Sequence, residues 1–238
     1  MYKKTGLKEN TTYHKVLEEK MGFSYCTLLG EVMYAYITCR PDIGYAVTTL
    51  SKFSCAPLEY HYKLLKLVAK YLRTTAHWGI RFQRTKPMKL TDEDYQNGFF
   101  HTTSYNIPED PTLSAVFNIN INSNKLIGFC DAAHANDLRK RRSTTGIVFT
   151  FMGGAIVYKS KTQSITAGSS TESEFIAAHS AAKIARYLRM LFRQLGYEQL
   201  NPTPIYIDNL FALKMINDNF SPNDRTRHID IRYFAIKD

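Results

Sequence analysis

Apolar residues recur along this chain at two different periods. In residues 25–37, Leu28, Leu29, Val32, Met33 and Tyr36 fall at spacings of one, three and four, as one face of an amphipathic helix requires. Pro41 follows Arg40, and a proline pushes its predecessor out of the helical region, so this helix is expected to stop near there. A second helix is predicted over 42–51 and a third over 59–73. The third carries Leu64, Leu65, Val68, Tyr71 and Leu72 on one side and Lys63, Lys66 and Lys70 on the other. Those lysines form either a plain solvated face or a face that lies along a phosphate backbone.

The pattern changes after residue 125. Residues 125–131 form a short apolar run ending in Asp131, and 145–151 and 155–161 are β-rich runs joined at Gly153-Gly154, which predicts a hairpin. The longest helical pattern spans 171–195, with Ile176, Ile184, Leu188, Leu191, Phe192 and Leu195 on its stripe and Gly196 as its stop. A short strand over 204–208 ends in Asp208, a helix follows over 209–218, and another begins near Thr226. This order predicts an α/β module, a mixed sheet with helices packed on it, behind a small helical one.

Composition narrows the class. The 238 residues include 14 Phe, 16 Tyr and one Trp, enough apolar surface for a core, so disorder is excluded for most of the chain. No charge-free apolar stretch is long enough to span a bilayer, and the Lys-rich start leads into no apolar segment, which argues against a secretory signal. A cytoplasmic or nuclear protein is expected. Cys26, Cys39, Cys55 and Cys130 include no C-x-x-C pair, and four reduced, mostly buried thiols are expected.

Charge is distributed unevenly within the net +10. Residues 1–90 hold 15 basic and 6 acidic side chains, and residues 125–238 hold 16 and 10. Residues 91–124 hold 5 acidic side chains and no basic one, together with Asn-Gly, a Pro-Glu-Asp-Pro turn and an Asn-rich run. The expected plan is two basic modules joined by an acidic linker or insertion.

Two predicted strands end in Asp. If those strands are neighbours, Asp131 and Asp208 converge at one edge of the sheet. Glu172 and Glu174, at the start of the long helix, point about 200° apart around its axis, so only one of them can join the pair. Three such carboxylates suit Mg²⁺, a hard ion that takes oxygen ligands. The spacing is equally compatible with plainer roles. Thr171 with Glu174, or Ser169 with Glu172, fits a capping box, and Asp is a common residue after a strand.

Longer motifs add a resemblance. Residues 25–36 (YCTLLGEVMYAY), 40–47 (RPDIGYAV) and 61–82 are similar to consecutive segments of copia-type retrotransposon Pol polyproteins, where reverse transcriptase gives way to ribonuclease H. Residues 128–133 (GFCDAA), 137–146 (DLRKRRSTTG), 158–175 (YKSKTQSITAGSSTESEF), 207–209 (IDN) and 225–233 (RTRHIDIRY) resemble the family's nuclease segments. The resemblance implies a ribonuclease H-like fold in 125–238 and a reverse-transcriptase thumb or connection remnant in 1–90. It also implies cleavage of the RNA strand of RNA–DNA hybrids with Mg²⁺ or Mn²⁺, and a place in a longer polyprotein.

Carried over by position, Asp131, Glu174 and Asp208 are the catalytic and metal-binding carboxylates, and Glu172 is left to cap the helix. Arg139, Lys140, Arg141, Arg142, Ser143 and Thr144 are expected to contact hybrid phosphates, though any single one of the four basic residues fits a solvated loop as well. The chain departs from the family pattern at several positions. Ala133-His134 stands where the family has Asp-Trp, Ser173 and Phe175 stand where it has Ala and Tyr, and the family's fourth metal-binding Asp is expected beyond residue 238. Asp230 is read as structural or substrate-facing. No Y-x-D-D motif occurs, so polymerase activity is not expected. The alternative expectation is an inactive truncated Pol fragment that at most binds nucleic acid.

Overall fold

A computed structural model describes residues 11–82, 125–137 and 140–217. The acidic stretch 91–124, the helix expected near Thr226, the 225–233 motif and Asp230 lie outside the described residues, as does Arg139.

The first module is helical: α1 (Thr11–Met21), α2 (Tyr25–Thr38), a single 3₁₀ turn (Pro41–Ile43), α3 (Gly44–Ser51) and α4 (Glu59–Thr74). The three predicted helices form close to their expected bounds. Pro41 acts as expected: α2 stops at Thr38 and Pro41 opens the 3₁₀ turn. The stripe residues Leu29, Val32 and Leu65, with Val47 of α3, pack around Tyr25 and Tyr62. The buried phenol of Tyr25 donates to the Leu50 carbonyl at 2.9 Å, so its polar end is satisfied. Arg40 is also buried. Its guanidinium donates to both carboxylate oxygens of Asp42, at 2.9 and 2.7 Å, and to Thr75 O and Oγ1, and it lies over the Tyr71 ring.

The second module is mixed α/β. Its sheet has the order β3-β2-β1-β4, from β1 (Ile127–Asp137), β2 (Arg142–Phe151), β3 (Gly154–Thr162) and β4 (Ile205–Tyr206). The first three strands pair antiparallel, and β4 joins β1 parallel. Helix α5 (Ser170–Gln194) crosses one face, and α6 (Leu210–Asn217) follows β4. Cys130, Ala132, Ile147 and Phe149 meet Ala177, Ala181 and Leu188 of α5 in the core. Gly128 lies opposite Phe149 because a Cβ there would come within 2.6 Å of its ring.

The structure corrects several expectations. The hairpin turn is Met152-Gly153, both at positive φ as a type I′ turn requires, and Gly154 already pairs with Phe151. Helix α1 was not anticipated, since it offers few apolar positions; Leu17 anchors it in the core. β1 does not end at Asp131 but runs to Asp137: Ala132 and Ala133 pair with Thr145 and Thr144, and after an irregularity at which Ala135 takes positive φ, Asp137 pairs with Arg142. Only Cys130 is buried. Cys26, Cys39 and Cys55 lie on exposed positions of the small helical module. Among the described residues, no helix is long and apolar enough to cross a membrane.

The modules touch through polar groups. Tyr158 Oη donates to Ile37 O at 2.8 Å, Ser160 N donates to Tyr36 Oη at 3.3 Å, and Lys52 pairs with Asp137 at 3.6 Å. These contacts seat the helical module over the sheet face opposite α5.

Candidate metal centre

Three elements converge on one point. Asp131 projects from the middle of β1. The parallel pairing of Gly128 with Ile205 and Phe129 with Tyr206, continued by two residues, brings Asp208 level with Asp131. Opposite Asp131 on β2 stands Gly146, which has no side chain to crowd it. Glu174 reaches the same point from the first turns of α5. One carboxylate oxygen from each of Asp131, Glu174 and Asp208 lies within 4.8 Å of the others.

The start of α5 separates the two glutamates. Ser169 is the N-cap, its Oγ accepting from Glu172 N at 3.1 Å, while Glu172 Oε2 accepts from Gly168 N at 2.6 Å. Glu172 therefore caps the helix, and the Ser169–Glu172 pair is the one the structure uses. Glu174 turns toward the sheet, where its Oε1 accepts from the Ala132 backbone N–H at 3.1 Å.

The electrostatics of the cluster are strained without a counter-charge. Glu174 is buried, and among the described residues its second oxygen, Oε2, has no hydrogen-bond donor. Burial pushes its carboxyl up to about 7, and the negative charges of Asp131 and Asp208 push the same way, against the Ala132 hydrogen bond. Burial, and then these three carboxylates, push the neighbouring Cys130 thiol up to about 12, which leaves it an unreactive core filler. A buried, orphaned carboxylate oxygen flanked by two more carboxylates is a donor set of hard oxygens, and it suits a hard divalent cation.

The basic loop divides by exposure. Lys140 and Arg141 are exposed and Arg142 is half-buried. Ser143, expected to face nucleic acid, is fully buried, and its Oγ accepts from Ala135 N at 3.1 Å, so its hydroxyl shapes the loop from within. Thr144 is buried as well, and donates to Asn136 Oδ1 at 2.8 Å.

Sequence reasoning missed Gln163. Its buried Nε2 donates to Thr145 Oγ1 at 3.0 Å and to Ser173 O at 2.9 Å, tying β2 to the turn of α5 that carries Glu174. Gln163 stands inside the 158–175 motif, so the signal was present without a chemical reason attached to it.

No family model matches the chain, and no solved structure does. It is 31% identical over 214 residues, 90% of its length, to the "Retrovirus-related Pol polyprotein from transposon TNT 1-94" of Nicotiana tabacum. Over the same share it is 27% identical to the corresponding polyprotein from transposon RE1 of Arabidopsis thaliana. The chain spans only 13% and 12% of those two polyproteins. It is also 31% identical over 170 residues to the "Secreted RxLR effector protein 161" of Plasmopara viticola, and there it covers 94% of the relative.

Proposed function

Because the chain belongs to one family with the Plasmopara viticola protein and is a homologue of the retrovirus-related Pol polyproteins of plant transposons, we propose that it is a retrotransposon-derived fragment whose residues 125–238 form a ribonuclease H-like nuclease. In this reading residues 1–90 are a reverse-transcriptase thumb or connection remnant, and 91–124 link the two. The substrate is the RNA strand of an RNA–DNA hybrid.

The observation that carries the reading is the convergence of Asp131, Glu174 and Asp208 around a buried oxygen with no donor. These three carboxylates would hold Mg²⁺ or Mn²⁺. A bound cation would offset the charge that develops on phosphodiester oxygens and ease ionisation of a bound water. The chain's own groups prepare the site. The Ala132 N–H fixes one oxygen of Glu174, Gln163 holds the helix turn behind it, and Gly146 keeps the ground opposite Asp131 open. Lys140 and Arg141, exposed beside the sheet, are the phosphate contacts, with the half-buried Arg142 next to them in the chain. The antiparallel three-stranded order with a parallel fourth strand, and a long helix across one face, also support a ribonuclease H-like assignment.

The test is hydrolysis of a 5′-labelled RNA in an RNA–DNA duplex with Mg²⁺. Cleavage by the wild-type chain that Asp131→Asn abolishes is expected. An equal lack of cleavage in both leaves the alternative, an inactive fragment that at most binds nucleic acid.

A further inference from the structure

Between the helical module and the sheet lies a cleft of about 790 Å³, within the size range of small-ligand sites. Five rings line it: Tyr36 and Tyr45 from the helical module, and Phe129, Tyr158 and Tyr206 from the sheet. Tyr36 and Tyr158 are committed to joining the modules, through Ser160 N and Ile37 O. Among the described residues, Phe129 and Tyr206 make no such tie, and Tyr45 makes one through its hydroxyl alone, which leaves its ring face open. Tyr206 lies nearly parallel to Phe129, with centroids 5.4 Å apart and planes at 21°, yet stays 43% exposed. Tyr45 is 56% exposed, and its hydroxyl accepts from Asn136 Nδ2 at 3.3 Å.

Asp131 and Asp208 line the same cleft, and so does the exposed Lys159. A ligand that suits this combination has a flat apolar face for the rings and an anionic group for a cation at the carboxylates. A nucleotide unit has both. Inside a duplex each base has both faces covered by its neighbours, whereas an unpaired base can offer a face to Tyr206.

We infer that this cleft binds one unpaired nucleobase of a strand whose phosphate lies at the carboxylate cluster, with Tyr206 and Tyr45 as its stacking residues. The inference rests on the nuclease reading above and deepens it. The preferred substrate then has an unpaired nucleotide beside the phosphate at the carboxylates, and the helical module supplies part of the nucleic-acid site.

The experiment uses the full chain with Mg²⁺ and an oligodeoxynucleotide duplex carrying 2-aminopurine, either unpaired in a short overhang or paired inside the duplex. Stacking is expected to quench the unpaired probe and leave the paired one unchanged. Tyr206→Ala and Tyr45→Ala should each bind the overhang about 5- to 100-fold more weakly, while Tyr45→Phe binds as wild type. The two rings come from different modules, so local misfolding of one variant leaves the other as the test. Equal quenching of both probes, or quenching that survives both alanine variants, overturns the inference. Mg²⁺-dependent RNA cleavage without tyrosine-dependent quenching removes the cleft and leaves the nuclease. Tyrosine-dependent quenching without cleavage supports the cleft and removes the nuclease.

Discussion

The Ala132 backbone N–H donates to Glu174 Oε1 at 3.1 Å, so the residue next to Asp131 on the strand fixes the carboxylate on the helix. The contact spends one oxygen of Glu174 on the sheet and leaves Oε2 buried, without a donor among the described residues. A carboxylate held in this way destabilises a cation-free protein whenever it is ionised.

Glu174→Gln should therefore change how stability depends on pH. The folded-state value of about 7 lies above the ordinary carboxyl value of 4.5, so the folded chain holds this proton more tightly than the unfolded chain. Stability from Glu174 is full below about pH 4.5 and is lost as pH rises through 7, by at most about 3 kcal/mol. Urea unfolding in chelator at pH 5 and pH 8 should show this loss in wild type and lack it in Glu174→Gln. Equal pH dependence in the two proteins would refute it.

Gln163→Ala removes the tie between Thr145 and Ser173 in a buried setting. A cost of about 1–3 kcal/mol is expected, since the Ser173 carbonyl loses a donor without gaining water. Urea denaturation reads this directly, and a change below a few tenths of a kcal/mol would mean that the side chain is not a tie.

His61 gives the helical module an acid sensitivity. Its Nδ1 accepts from Leu58 N at 2.9 Å, which caps α4, and burial lowers its pKa below 6.5. The neutral ring is the favoured folded form, so stability is complete above about pH 6.5 and falls as pH drops below it. Melting curves at pH 7.5 and 5.5 should separate for wild type. His61→Gln keeps an acceptor for the Leu58 N–H and should lose the contribution.

Arg40→Ala should be the most damaging change in the helical module. It strips a buried guanidinium from Asp42, Thr75 and the Tyr71 ring. About 3 kcal/mol is expected, near the lower end for a broken buried pair, because Asp42 keeps partial contact with water. Arg40→Lys should recover little of it, since lysine cannot span both carboxylate oxygens. Circular dichroism during urea unfolding measures both variants.

Periodicity made α2, α4 and α5 legible, because each buries one continuous stripe. Asp131 and Asp208 were legible as strand-associated carboxylates, but Asp131 proved to lie in mid-strand. The residues after it, Ala133 to Asp137, look like a turn; pairing of Ala133 with Thr144 and of Asp137 with Arg142 carries the strand on across an irregularity at which Ala135 takes positive φ. The choice between Glu172 and Glu174 rested on motif position, and geometry separates them through Gly168 N and Ala132 N. The exposure of three cysteines and the burial of Ser143 depend on which face each element turns outward, and local pattern does not encode that. The cleft brings Tyr45 to Phe129 and Tyr206 across two modules, a relation no spacing in the chain reveals.

Calorimetric titration of the metal-free chain with Mn²⁺ tests the three-carboxylate site most directly. Saturable binding is expected in wild type, tighter at pH 8 than at pH 6 because the Glu174 proton must leave, and it should be lost in Asp131→Asn, Glu174→Gln and Asp208→Asn. Binding of equal strength in wild type and all three variants would contradict the assignment of Asp131, Glu174 and Asp208 as one cation site.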